Sequence, residues 1–241
     1  MSAHRYTYPD AQKAAEACAR NILIRLEEAL SGHKYATLAI SGGNSPKPIF
    51  KAMIEANFDW SQVHIFWVDE RCVPPTDEQS NFRMAEEHLI HPAHIPHRNV
   101  HRIQGELRPD EAAEHYCRDI RSFFRLAEGE LPHFDVVHRG IGTDGHTASL
   151  FPGEALIEDR AGIAAAVYVE KMAQNRVTLL PGVLLAAKHS VVFATGAEKA
   201  ETIRNIIEGA YDPQVYPAQI TSHHGRAVTW FMDEAAAALL S

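Results

Sequence analysis

Apolar positions along the chain alternate between a helical spacing and short unbroken runs. Over residues 10–30, Ala14, Ala17, Cys18, Ile22, Leu26 and Ala29 recur at intervals of three and four. This predicts an amphipathic helix, with Asp10 as its N-cap and Ser31 and Gly32 as its stop. Residues 35–40 form a compact apolar run and predict a buried strand, followed by a short helix at 46–56. A second buried strand is predicted at 63–68, ending in Asp69, Glu70 and Arg71, which read as an irregular segment. Helices follow at 81–90 and 109–126, and a strand at 134–138. Residues 164–169 and 176–180 are extended, with Pro181 closing the second run, and 183–187 is a helical turn. The pattern closes with a strand at 190–194, a helix at 197–208, a strand at 227–231 and a helix at 233–240. Strands alternating with helices predict an α/β fold with a mainly parallel sheet covered on both faces. Without repeats, low-complexity tracts or a linker, residues 1–241 read as one domain.

Composition narrows the function classes. At 241 residues and 46% hydrophobic content, the chain can bury a full-sized core. A formal charge of −8 disfavours general nucleic-acid binding, which needs a basic face. A small anion is still accommodated, since a few local cations and a helix N-terminus suffice to hold it. No apolar run approaches the roughly 20 residues needed to cross a bilayer, so no membrane partner is expected. The first residues lack the layout of a secretion signal. Cys18, Cys72 and Cys117 are odd in number and far apart, without a C-x-x-C pair. They suggest neither a disulfide framework nor zinc, and point to a reducing cytoplasm. His91, His94, His97 and His101 cluster, but Pro92 and Pro96 keep them off a common helical face. They read as a solvated loop, and no metal site is expected.

The candidate chemistry gathers at strand-to-loop junctions, which share one edge of a parallel sheet. After 134–138 comes a loop with Gly140, Gly142 and Gly145 that presents Asp144 and His146. An imidazole takes and returns protons near neutral pH, so His146 is the natural centre of any chemistry. The same loop satisfies G-x-G-x-x-G, yet Pro152 and Gly153 leave room for little more than one helical turn. A dinucleotide site needs a strand, a turn and a packed helix, and is therefore not expected. Ser41, Gly42, Gly43, Asn44 and Ser45 open a helix directly after a strand and offer backbone N–H groups to a phosphate. Asp69 and Arg71 end another strand, where the guanidinium can grip a carboxylate or phosphate. Lys199 sits in the first turn of a helix, against its electrostatic preference. Arg176 lies in an extended segment, and Cys72, beside Arg71, could have a lowered pKa but reads as a bystander.

The strings SGGNSPKPIF, WVDERCVPPTDEQSNFRMAEEHL, GIGTDGHTASLFPG and RVTLLPGVLLAAKHSVVFATGAEKA, with the closing VTWFMDEAAAALL, resemble the 6-phosphogluconolactonases in that family's order. The resemblance covers nearly the whole chain. It implies a Rossmann-like three-layer α/β/α fold, also found in glucosamine-6-phosphate deaminases and ribose-5-phosphate isomerases. It further implies hydrolysis of 6-phospho-D-glucono-1,5-lactone in the oxidative pentose phosphate pathway, with no nicotinamide cofactor. By position, His146 matches the family's proposed general base, Asp69 and Arg71 the acid and arginine of the site, and residues 41–45 the glycine-rich loop. Lys199 matches a lysine associated with the phosphate, and Asn81 and Arg176 fall on further motifs. The chain departs from the family in two places. It has Asn44 and Ser45 where Ser-Thr is usual, and His138 and Arg139 where two leucines are usual. Either those charged side chains reach the cleft or the strand ends before them.

These residues together predict water attack on the lactone carbonyl, with His146 as base, Asp144 or Asp69 orienting it, and Arg71 with backbone N–H groups stabilising the oxyanion. Ser149 lies three residues past His146 but in no nucleophile elbow. An amino-sugar phosphate deaminase is the nearest alternative, yet it resembles this loop with a glutamate where Phe151 stands. A sugar-phosphate-binding regulatory domain is the other, though neither end has a basic helix-turn-helix pattern. The expected partner is a small sugar-phosphate lactone, and the expected assembly a monomer or small homo-oligomer.

Overall fold

A computed structural model describes residues 3–241. Seven strands form the central sheet: β1 (His4–Tyr8), β2 (Ala36–Ile40), β3 (Val63–Trp67), β5 (Val100–His101), β6 (Val136–Arg139), β9 (His189–Ala194) and β10 (Val228–Asp233). Their spatial order is β1-β10-β9-β6-β2-β3-β5, and every neighbouring pair is parallel. The remaining strands, β4 (Asp69–Arg71), β7 (Ala164–Val169) and β8 (Gln174–Leu179), make a small antiparallel sheet in the order β4-β8-β7. Helices α1 (Ala11–Gly32), α2 (Lys47–Glu55), α3 (Asn81–Ala85), α4 (Pro109–Phe124), α5 (Pro181–Ala186), α6 (Ala200–Glu208), α7 (Gln219–His224) and α8 (Glu234–Ala237) complete the chain. None of the described helices is long and apolar enough to cross a membrane.

The predicted α/β layout is therefore present, with local corrections. Asp69, Glu70 and Arg71 are a strand, not an irregular segment. The runs at 164–169 and 176–180 leave the parallel sheet to pair with it. Sequence reading missed β1, whose residues are nearly all exposed, the two-residue β5, and α7 with its paired histidines. Edge strands of this kind lack the apolar run that marks a buried one. Asp10 does cap α1, accepting from the Lys13 N–H at 2.8 Å, and Ala14, Ala15, Cys18, Ala19, Ile22 and Leu26 bury one stripe of that helix.

Two features set the sheet edge that carries the site. All five residues of β2 are buried, and its lone polar side chain, Thr37, is satisfied by the Asp135 carboxylate through both its N–H and its hydroxyl. Val68 is the joint between the sheets. Its N–H donates to the Ile40 carbonyl at 2.9 Å in one sheet, and its carbonyl accepts from the Leu179 N–H at 2.8 Å in the other. The Tyr116 hydroxyl donates to the Trp67 carbonyl and accepts from the Trp67 N–H. That contact clamps the residue just before the joint, so β4 leaves the main sheet at a defined angle.

Candidate active site

A cleft of about 340 Å³ lies where the carboxyl ends of β2, β6 and β9 meet the small sheet. Ser41, Gly42, Ser45, Asp69, Arg71, Asn81, Asp144, His146, Arg176 and Lys199, ten of the twelve predicted site residues, all line it. Gly43 and Asn44 do not. Gly43 adopts a positive φ of 80°, and the Asn44 carbonyl accepts from the Lys47 N–H, so both shape the turn that brings the loop to the cleft. A larger hollow of about 820 Å³ between α1 and residues 52–62 shares no residue with this cleft.

The loop after β6 builds a dyad. His146 Nδ1 lies 2.5 Å from Asp144 Oδ1, and because a carboxylate can only accept, that nitrogen carries the proton. Nε2 then presents its lone pair. The ring stacks on Phe151, with centroids 4.2 Å apart at 24°, which fixes its plane. Lys171, from the turn between β7 and β8, donates to Asp144 Oδ2 at 3.0 Å. The hydrogen bond from His146 foremost, with Lys171 adding to it, holds the Asp144 carboxyl well below the usual carboxylate range despite partial burial. Asp144 is thus ionised at neutral pH. Gly142 is required here by close approach, since a Cβ at that position would overlap the His146 ring. Of the two acids that could orient the imidazole, Asp144 is the one in contact.

Asp69 serves a different group. It is buried, its Oδ2 accepts from the Ser149 hydroxyl at 2.7 Å, and it lies 3.8 Å from Arg176 Nη1. Arg176 also donates to Ser149 Oγ at 3.4 Å. Desolvation lowers the Arg176 pKa and the Asp69 charge opposes that shift. Ser149 is fully buried and donates inward to the Asp69 carboxylate.

Alternation along β4 sends Glu70 to the opposite side from Asp69 and Arg71. Its carboxylate accepts the N–H groups of Arg71, Asn81 and Phe82 at 2.8, 2.7 and 2.7 Å, and the Ser80 hydroxyl at 3.2 Å. Glu70 therefore latches the start of α3 to β4. Burial pushes its pKa up to about 7, against those N–H donors. Asn81, placed by this latch, donates to the Asp69 carbonyl at 2.9 Å and turns its amide toward Gly42, where any Cβ would overlap it. Arg71 donates to the Gln79 carbonyl, while its buried Nε has no partner among the described residues. Burial also lowers the Lys199 pKa, with Glu198 and Asp233 acting the other way.

Sequence reasoning missed Glu70 and Lys171, and left open whether His138 and Arg139 reach the cleft. Reading the Asp-Glu-Arg run as a strand would have flagged Glu70, because its side chain must then face away from its two neighbours. Lys171 sits in an irregular turn without any local signal. Strand β6 runs through Arg139, and its last two residues diverge: His138 lines the cleft, whereas Arg139 is fully buried and donates to Ser190 Oγ at 3.0 Å. Cys72 needs a correction, since burial raises its thiol to about 11. Among the described residues, no group of three or more His, Cys, Asp or Glu side chains is arranged to hold a metal ion. His101 pairs instead with Asp119 and His64, at 3.0 Å each.

A family model described as glucosamine-6-phosphate isomerases/6-phosphogluconolactonase matches residues 9–230. The chain belongs to that family. A 6-phosphogluconolactonase of Synechocystis is 32% identical over 216 residues, covering 89% of each chain. The solved 6-phosphogluconolactonase of Thermotoga maritima superposes with a TM-score of 0.83 at 28% identity, covering 96% of this chain and 100% of its own. A monomeric glucosamine-6-phosphate deaminase gives the same TM-score of 0.83 at 18% identity, over 99% and 100% of the two chains. That second likeness concerns the fold alone.

Proposed function

We propose that this chain is a 6-phosphogluconolactonase, hydrolysing 6-phospho-D-glucono-1,5-lactone to 6-phospho-D-gluconate in a single domain. The observation that carries this reading is the Asp144–His146 dyad, with a free Nε2, in a cleft that also holds Arg71, Lys171, Arg176 and Lys199. The family relatives named for this activity support it, as does Phe151 under the imidazole, where a deaminase would have a glutamate.

In the proposed reaction, His146 Nε2 takes a proton from water as the water oxygen bonds to the lactone carbonyl carbon. Asp144 holds the ring in the required tautomer and stabilises its cationic form. Arg71 and loop N–H groups neutralise the tetrahedral oxyanion. Collapse breaks the bond to the ring oxygen, which recovers the proton from His146. Ser41, Gly42 and Ser45, just before α2, hold the phosphate with Lys199, and Gly43 and Asn44 shape the turn that presents them. Asp69 and Ser149 act as positioning residues by fixing Arg176. The three unpaired cysteines accord with a cytoplasmic setting, and the assembly is a monomer or small homo-oligomer.

A pH-stat assay with freshly prepared lactone, corrected for spontaneous hydrolysis, tests the reading. Wild-type protein should accelerate hydrolysis, and His146→Ala should lower kcat by about a hundredfold or more, the scale of general-base loss. Near-wild-type turnover in that variant would refute the base. Ammonia release from glucosamine 6-phosphate would point to the deaminase instead.

A further inference from the structure

We propose that His138 is a specificity-determining contact for the phosphate of the substrate, donating a ring N–H to a phosphate oxygen at the floor of the cleft. The proposal rests on the reading of this cleft as a sugar-phosphate site. His138 is 2% exposed and lines the cleft together with Ser41, Gly42, Ser45, Pro46, Phe193 and Lys199. Both ring nitrogens are buried and have no hydrogen-bond partner among the described residues. A polar group left in that state costs about 1–3 kcal/mol, so a buried imidazole without partners calls for a ligand.

Position says which end of the ligand it meets. β6 lies between β2 and β9 in the sheet. The first residue after β2 is Ser41, whose hydroxyl donates to the His138 carbonyl at 3.1 Å. The segment after β9 carries Lys199. The imidazole therefore sits between the glycine-bearing loop that opens α2 and the lysine, the two parts of the cleft that favour an anion. Burial, with Arg139 beside it, brings the His138 pKa down to about 4. The ring is neutral near pH 7, with one N–H to give and one lone pair to receive. A phosphate oxygen takes the N–H, and a hydroxyl of the ligand or a bridging water can use the lone pair.

The test compares wild type, His138→Leu and His138→Gln. KM and kcat are measured on the phosphorylated lactone, and Kd for 6-phosphogluconate by calorimetry. The expected result is a rise of about tenfold in KM and Kd for His138→Leu, the scale of one hydrogen bond to a charged group. kcat should change far less, and His138→Gln, which keeps a donor, should recover part of the loss. The melting temperature of His138→Leu should not fall, because an unpaired polar group is being removed. Wild-type activity with unchanged KM and Kd in His138→Leu overturns this contact alone. A loss confined to kcat overturns it too, by placing the ring at the reacting carbonyl. Wild-type protein that neither hydrolyses the lactone nor binds 6-phosphogluconate overturns both the contact and the function.

Discussion

Arg139 and His138 are adjacent, both buried, and opposite in consequence. His138 faces the cleft, whereas Arg139 is enclosed and donates to the Ser190 and Thr147 hydroxyls at 3.0 and 3.5 Å, with no carboxylate partner among the described residues. One of its terminal nitrogens has no partner among the described residues, and burial lowers the guanidinium pKa to about 9. A lone buried charge is among the costlier things a core can hold. Arg139→Leu should therefore raise stability by about 1–3 kcal/mol, the scale seen when buried charge gives way to apolar packing. Urea denaturation measures this directly, and a lower midpoint would mean that the guanidinium organises the 140–147 loop. The pair also shows the limit of reading single residues. Two charged positions closing a core strand raised the choice between a cleft-facing pair and an early strand end. Alternation along β6 splits them, and that split depends on a strand that continues for one more residue.

At the scale of elements, the short strand β4 matters more than its three residues suggest. Asp69 and Arg71 face the cleft, while Glu70 on the other side ties down α3 and with it Asn81. Glu70→Ala should cost about 1–3 kcal/mol through the donors it strands, and should also raise KM as Asn81 and Arg71 lose their footing. The same carboxyl gives a pH signature. Its unfolded value is near 4.5 and its folded value about 7, so the folded state binds this proton more tightly. The stability it contributes is full below about pH 4.5 and is lost as pH rises through 7. Relative to Glu70→Gln, which stays neutral, wild type should lose on the order of 3 kcal/mol across that window, read from urea midpoints at pH 4.5 and 8. The apolar runs at 35–40, 63–68 and 190–194 were legible as strands because each is long and buried enough to carry its own signal. Asp-Glu-Arg was not, since its strand character comes from pairing with Arg176, Val177 and Thr178 far along the chain.

Charge is a property of the whole molecule. The chain carries −8 overall, yet Arg71, Lys171, Arg176 and Lys199 converge on one cleft. A local positive field inside an acidic protein draws an anionic substrate to the cleft. KM for the phosphorylated lactone should therefore rise several-fold between about 0.05 and 0.5 M salt, as screening shortens the reach of those cations. Flat salt dependence would mean that neutral hydrogen bonds dominate binding.

The chain's own pattern was enough to specify an α/β fold, a mainly parallel sheet and ten residues that line the cleft. Helical spacing, apolar runs and glycine-bearing loops are local properties that a linear reading captures. Which acid serves the imidazole, which arginine pairs with Asp69, and that His138 opens to the cleft while Arg139 does not were settled only by packing. Those facts depend on the joint at Val68 and on strand pairings between distant segments. Side chains far apart along the backbone meet only when the sheet edge and its antiparallel companion close around the same volume.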